Sequence, residues 1–496
     1  MGVRTWQAGP RRVGRCDGQP GIERNPKANM EMELGSEIRS VVVEGSGYDP
    51  YLAALAFKRM LPDLKVGVRC REGSSNPIGE VASPFLLRQL IGSFGIREVD
   101  LHTFGRPTWC LGFRFLWGAR GEFIQSFDTA PFRKIPKSEI EAGFLSATDD
   151  QRSFSIGEAL IRLKKVLPPG VSGDGITGLQ VRPEPFTDLL QRACAAVGVE
   201  TTPEGEIADG GLLVRTDAAA DRDDWIEPKD GTVAWRSVTG LRRRSNERML
   251  PFCTVQAHPS GWSWRMDHDD SMGIGFAYDP ECVSDDDARE WLLERLGKPA
   301  GELRVTDWHG GRTSNPWKAD SVHIGDAAGF VQPLSGMRLS LLVHEVQTMC
   351  RFMIETGMRP GEQSRRLYKD VIGRARDEIR DFEALHFRYP DDPDSECWKK
   401  VSSTTGLGEH EELLGVFESI GPSAKLVNAL PTIPGVVGIN SWVATFLGLG
   451  VPFRGRGEVS EADRAVWRTS LGELEANARR GADSERALVA ARSRKG

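Results

Sequence analysis

The stretch from Ser40 to Glu80 constrains this chain more than any other. It opens on Val41-Val42-Val43, a β-branched run that reads as a buried strand. Gly45-Ser46-Gly47 follows at once. Then comes Tyr51-Leu52-Ala53-Ala54-Leu55-Ala56-Phe57, rich in the best helix formers. A second strand is expected at Lys65-Val66-Gly67-Val68-Arg69, with the acid Glu72 just past it. Strand, glycine turn, helix, strand and acid is the order of a dinucleotide-binding βαβ unit. Gly45 and Gly47 let the backbone approach a pyrophosphate whose charge sits at a helix N-terminus. Glu72, 25 positions after Gly47, is placed to accept hydrogen bonds from a ribose. Pro50 stands where a third glycine is expected; it suits the first turn of a helix but withdraws one N–H.

The rest of the 496 residues supplies enough chain for two or three domains. A net charge of -6 gives no case for nucleic acid or a membrane surface as partner. The 8 cysteines show no C-x-x-C and no metal-like spacing, so reduced thiols and a cytoplasmic location are the simplest expectation. Residues 1–35 are rich in Arg, Gly and Pro, lack an apolar segment and read as a disordered extension rather than a secretory signal. Ile433 to Phe453 is apolar but broken by Pro434, Asn440 and glycines, which makes it a poor membrane span.

Along the chain, Val81 to Phe94 has helical spacing. Trp109 to Phe115 reads as one strand, with Glu122 to Phe127 as its partner. Helices are expected at Gly157 to Val166, Pro185 to Val197, Asp285 to Leu296, Leu339 to Thr356 and Gln363 to Arg388, with mostly helix from there to Arg492. Thr201 to Asn246 is polar; its acidic run (Asp217 to Asp224) and basic run (Arg242 to Arg244) read as solvated loops. Trp262-Ser263-Trp264 puts two tryptophans on one face of a strand, and Gly273 to Tyr278 is the next strand. An Asp after a buried strand, as in Val322-His323-Ile324-Gly325-Asp326-Ala327, has the chemistry to hold ribityl hydroxyls; as plain structure it is a capped strand-to-helix turn.

These residues resemble the flavin-dependent halogenases of the tryptophan-halogenase group, in order from about Arg39 to Pro452. The Gly-x-Gly turn is one marker. Ile78-Gly79-Glu80 resembles the family's Gly-Glu turn near the flavin, and Leu111-Gly112-Phe113-Arg114-Phe115 its Leu-Gly-Ile-Arg-Phe strand. Gly261-Trp262-Ser263-Trp264 resembles the start of its Trp-x-Trp-x-Ile-Pro motif. Ile324 to Val331 with Pro333 resembles its second flavin motif. Asp381-Phe382 with His386, Cys397-Trp398, and Ser441-Trp442 with Gly448 and Gly450 resemble later signatures. The resemblance implies an α/β, flavoprotein monooxygenase or halogenase-like fold with a mixed sheet layer and a C-terminal helical region. The boundaries would be a 36–350 core with an interleaved sheet and a 351–496 helical part. It also implies FAD, reduced by a separate flavin reductase, and a small aromatic substrate. By resemblance, the cofactor would meet Gly45, Gly47, Tyr48, Glu72, Gly79, Glu80, Asp326, Ala327, Pro333, Ser335, Gly336 and Met337.

Departures fall where the family does its chemistry. Cys110 stands at the catalytic-lysine position. A thiol cannot supply that charge, and an electrophilic halogen species would oxidise it. Pro333-Leu334-Ser335-Gly336-Met337 is one residue shorter than the family's loop and has no glutamate; Met266-Asp267 replaces Ile-Pro; Leu213 to Ala218 lacks the Asp-x-Ser-Gly motif. Three functions compete. One is an FAD-dependent, oxygen-using oxidoreductase that does not halogenate; one is a true halogenase with displaced catalytic residues; one is a non-catalytic binding protein on the same fold. Cys110, Trp262, Trp264 and His386 each also have a purely structural reading as core residues.

Overall fold

The valines of the first strand are buried on both faces because they run through the middle of a parallel sheet, where helices cover each side. In this computed structural model, the described residues are 35–493 without 72, 74–75, 129–154, 168–174, 202–209, 218–223, 229–234, 319, 391–393, 423–425, 427–428 and 455–459. The expected extension at 1–35 thus lies almost wholly outside them, as does Glu72.

Strand β1 (Ser40–Ser46) pairs in parallel with β2 (Lys65–Arg71) on one side and with Gly211–Arg215 on the other. Ser321–His323 and Glu200–Thr201 complete five parallel strands. Helix α1 (Asp49–Met60) crosses between β1 and β2 and buries Leu52 to Phe57. A seven-stranded sheet forms the second layer, running from Arg304–Asp307 through Arg236–Arg243, Ser271–Tyr278, Gly261–Asp267 and Cys253–His258 to Gly112–Leu116 and Phe123–Ser126. Three short strands, Glu80–Ala82, Gly178–Val181 and Thr108–Cys110, make a small antiparallel sheet.

The two larger sheets carry separate apolar cores. Helices α2 (Arg338–Glu355) and α3 (Glu362–Arg388) bridge them. Tyr368 and Ile372 of α3 pack with the parallel-sheet core, whereas Ile379, Phe382 and Leu385 pack with the tryptophan-rich core of the seven-stranded sheet. No helix among the described residues is long and apolar enough to cross a membrane.

Four expectations are corrected. The single strand at Trp109 to Phe115 is two strands in different sheets, because Gly112 at φ 140° turns the chain between them; a Cβ there would lie 2.2 Å from the Gln125 carbonyl oxygen. The polar stretch 201–246 contains Gly211–Arg215, in the parallel sheet, and Arg236–Arg243, an inner strand of the other sheet. The basic run is only partly solvated: Arg243 is exposed, but Arg242 pairs with Glu247, and Arg244 with Glu485 and the His268 carbonyl. Cys282 and Cys397 are joined in a disulfide rather than reduced; their Cα atoms lie 6.2 Å apart.

Gly275 sits directly across from Trp264, whose ring fills the space a side chain would take. A Cβ at 275 would fall 2.3 Å from Trp264 Cζ2, and that ring is held by Trp262 and Trp308. Gly275→Ala is therefore expected to cost about 1–3 kcal/mol by overpacking. Urea unfolding should show a lower midpoint at unchanged slope; an unchanged midpoint would mean that the tryptophan cluster is loosely held.

Candidate functional site

Two cavities flank the segment Phe330–Gln332, whose phenyl and amide groups face both. The first, about 310 Å³, lies where the sequence places the dinucleotide. Its wall includes Asp49, Glu80, Asp326, Pro333 and Gly336. Gly45, Gly47, Tyr48, Gly79, Ala327, Ser335 and Met337 support that wall without lining it.

Each support has a local cause. Gly47 takes φ 63° to turn β1 into α1. Gly45 is obliged to be glycine because a Cβ would meet Thr216 Oγ1 at 1.8 Å. Tyr48 is buried against Phe186, with ring centroids 5.4 Å apart. Gly79, at φ 98°, lies under His268, whose Nε2 is 2.8 Å from the Ile78 carbonyl oxygen. Ala327 N–H donates to the Thr216 carbonyl. Gly336 takes φ 63°, and a Cβ there would lie 2.7 Å from Phe113 Cζ and 2.9 Å from Val81 Cβ. Ser335 and Met337 are buried beside it.

The charges are the decisive feature. Arg338, first residue of α2, donates from Nε to Asp326 Oδ1 at 3.0 Å and from Nη1 to Asp49 Oδ1 at 3.3 Å. Its Nη2 pairs with both carboxylates again, and Glu80 lies 4.0 Å away. Asp49 occupies the first turn of α1. Asp217 accepts from Ser46 N–H at 2.9 Å and from Ser46 Oγ at 3.2 Å. Five carboxyls thus face the cavity against two guanidiniums, Arg304 and Arg338. Burial pushes the Asp49 carboxyl up to about 6, with Arg338 opposing; burial likewise pushes Glu80 up to about 7.

A diphosphate does not fit this lining. The helix N-terminus that should attract its charge already carries the Asp49 carboxylate, and the Ser46 N–H that should bind it is taken by Asp217. Two like charges near 4 Å repel by about 4 kcal/mol at an effective dielectric of about 20. Arg338 cannot offset this, since two carboxylates share it. At the C-terminal end of β1, just before the glycine turn, Glu44 is bound by Arg69 at 2.8 Å and also by Arg71, so cations stand near the position expected for a ribose-binding acid.

Cys110 lines neither cavity. It is fully buried, with Sγ 3.5 Å from the Gly112 carbonyl oxygen, and its contact together with burial raises the neighbouring Cys253 thiol well above its usual range. His386 is enclosed by Phe115, Trp117 and Phe382 and pushed by burial down to about 4, which leaves it neutral. Trp262 is buried away from both cavities, while Trp264 lines the first.

Sequence reasoning missed Asp49, Asp217 and Arg338. An acid in the first helical turn reads as ordinary end-capping, and only the replacement of small residues after Gly47 by Tyr48-Asp49-Pro50 signals otherwise. It also missed the second cavity, about 650 Å³, between α3, the 310–312 segment and the Leu413–Val416 face.

Comparison with known proteins places this geometry. Residues 222–463 match the tryptophan halogenase family. The 7-chloro-L-tryptophan 6-halogenase of Kutzneria sp. (strain 744) is 26% identical over 190 residues, which is 37% of this chain and 36% of that protein. The chain therefore spans about a third of the length of the curated relatives it matches. Several solved structures share its fold. BrvH, a flavin-dependent halogenase from Brevundimonas sp. BAL3, has a TM-score of 0.73 at 21% identity, covering 92% of this chain and 99% of that one. MibH, a lanthipeptide tryptophan 5-halogenase, has a TM-score of 0.78 at 21% identity, covering 96% and 95%.

The raised acids set a pH test. Glu80 holds its proton in the fold up to about pH 7, whereas its ordinary value is 4.5. The folded state thus binds more protons than the unfolded chain between those values, and stability falls as pH rises through them. Glu80→Gln removes the charge and keeps the shape. It should be more stable than the native protein by about 1–3 kcal/mol near pH 8, with the difference closing near pH 4. Denaturant midpoints at the two pH values decide; an equal difference at both would mean that Glu80 is ionised throughout.

Proposed function

We propose that this chain, which has the flavin-dependent halogenase fold and matches the tryptophan halogenase family over residues 222–463, does not halogenate but works as a small-molecule binding protein. The observation that carries this reading is the Asp49–Arg338–Asp326 lock across the dinucleotide cradle. A halogenase of this fold implies reduced FAD delivered by a separate reductase. The cradle here offers a diphosphate carboxylates in place of free N–H groups.

Two further features support the reading. The position assigned by resemblance to the catalytic lysine holds Cys110, sealed in the core and turned toward Cys253. The loop assigned to the halide and its glutamate has no acid from Pro333 to Met337. Neither a charge to hold an electrophilic halogen nor an acid to work beside it is present at those positions.

A second reading has one observation in its favour. The Gly47 turn and the Asp326 turn keep the backbone path of a flavoprotein, with a cavity between them. An FAD-dependent, oxygen-using oxidoreductase acting on a small aromatic molecule would use that path.

Fluorescence titration separates the two. Native protein is expected to give no saturable quenching of FAD, oxidised or reduced, and Asp49→Ala should raise affinity rather than lower it. Tight FAD binding by the native chain would displace this reading in favour of the oxidoreductase. Given reduced FAD, oxygen and chloride or bromide, mass spectrometry of an indole and phenol panel should show no halogen isotope pair. Cys110→Lys alone should not create one, because catalytic groups that act as a unit are not recovered singly.

A further inference from the structure

The second cavity contains a carboxyl that the fold does not use. Glu383 lies on α3 between Phe382 and Ala384, in the apolar core, and is 4% exposed. Its Oε2 accepts a long hydrogen bond from Gln332 N–H at 3.4 Å, and its Oε1 has no partner. The side-chain oxygen of Gln332, also buried, is likewise unpartnered. Both residues form part of the wall of the 650 Å³ cavity.

Several charges beside Glu383 are already bound within the chain. Arg376 is bound by Glu345 and by the Gly325 and Gly329 carbonyls. Arg312 forms two hydrogen bonds with Asp377, at 2.8 and 2.7 Å. Asp381 is held by Arg380 and by His410 at 2.6 Å. Among the described residues no cation pairs with Glu383. A buried acceptor left open costs free energy unless something outside the chain satisfies it.

We propose that this cavity binds a small organic amine, whose N–H groups bond Glu383 Oε1 and the Gln332 side-chain oxygen while its apolar body lies against Phe330, Leu413 and Val416. The choice of an amine follows from the lining. Two open acceptors call for donors, and six carboxyls against four guanidiniums around the cavity favour a cation. Burial holds the Glu383 carboxyl well above the usual carboxylate range and so keeps its proton on in the empty cavity; an arriving ammonium supplies the counter-charge that lets the carboxyl release that proton and pair with it. A volume of 650 Å³ lies within the range of drug-sized ligand sites of about 300–1,000 Å³.

This deepens the binding-protein reading by naming a ligand class. It uses a cavity beyond the cradle, so the FAD titration and the test below fail separately. The test is calorimetric titration of the full chain with phenethylamine, and with phenethyl alcohol and phenylpropionate as controls of similar shape. The amine is expected to bind about tenfold or more tightly than the alcohol, and the carboxylate not at all. Glu383→Gln should lose about tenfold in amine affinity while its melting temperature holds or rises, since a neutral amide replaces a buried acid. Glu383→Leu, which removes both acceptors, should abolish amine preference if the Gln variant misfolds. Equal binding of amine and alcohol by the native chain, no binding of the amine, or undiminished affinity in a folded Glu383 variant would each overturn the proposal.

Discussion

Arg338 is the residue on which the organisation of the first cavity depends. It stands at the N-terminus of α2 and reaches back to Asp49, 289 positions earlier, and to Asp326 in the turn just before it. It therefore ties the two turns that a dinucleotide would otherwise bridge. One guanidinium serves three nearby carboxyls, so the balance cannot be neutral with all of them ionised. The upward pressure on Asp49 and Glu80 comes first from burial, and the nearby Asp326 carboxylate adds to it against the pull of Arg338. A buried pair of this kind adds little net stability against its desolvation cost, but it fixes geometry closely.

Beneath that lock lies a second one. Glu345 of α2 accepts the Gly325 N–H at 2.7 Å and pairs with Arg376 of α3, which in turn holds the carbonyls of Gly325 and Gly329. The turn carrying Asp326 is thus held from both helices. The same turn leads into Phe330 and Gln332, which line both cavities. A change in how Phe330 or Gln332 packs would be felt on both sides, because the segment is the common wall between them.

The fold was largely legible in the sequence where local and global signals agree. The βαβ unit shows itself because a buried parallel strand must be apolar throughout and its turn must contain glycine. The strands around Trp262 and Gly273 show themselves by period two. The failures have a different cause. Leu212 to Val214 is a central strand, but only three apolar residues mark it within a polar stretch, and pairing with β1 decides the matter. Arg242 and Arg244 look solvated until Glu247 and the distant Glu485 are brought to them. The broken strand at Gly112 depends on the close approach of Gln125. For the candidate site, the glycines and Asp326 were legible as positions. Their meaning was not, because the charge of a site is a property of residues scattered from Ser46 to Arg338. Glu383 was the least visible: an acid within Phe382-Glu383-Ala384-Leu385-His386-Phe387 reads as one solvated position on a helix, and only the packing of α3 shows it buried.

The unusual residues differ in how the fold treats them, and that difference locates function. Cys110 is packed in the core beside Cys253, and at Gly336 Phe113 leaves no room for a side chain. Asp49, Asp217 and Asp326 have each found a partner within the chain. Groups that satisfy one another leave little for a ligand to bind, since any ligand must first break the existing contact. Glu383 and Gln332 show the opposite condition: each lines the cavity and carries a buried side-chain oxygen to which no donor among the described residues is supplied. A fold has no reason to keep a carboxyl in an apolar core without a partner, because leucine would fill the same place at lower cost. The self-satisfied cradle and the unsatisfied acid on the other side of one loop therefore argue in the same direction. On the proposed reading, binding belongs to the α3 cavity, and the dinucleotide turn holds the structure together.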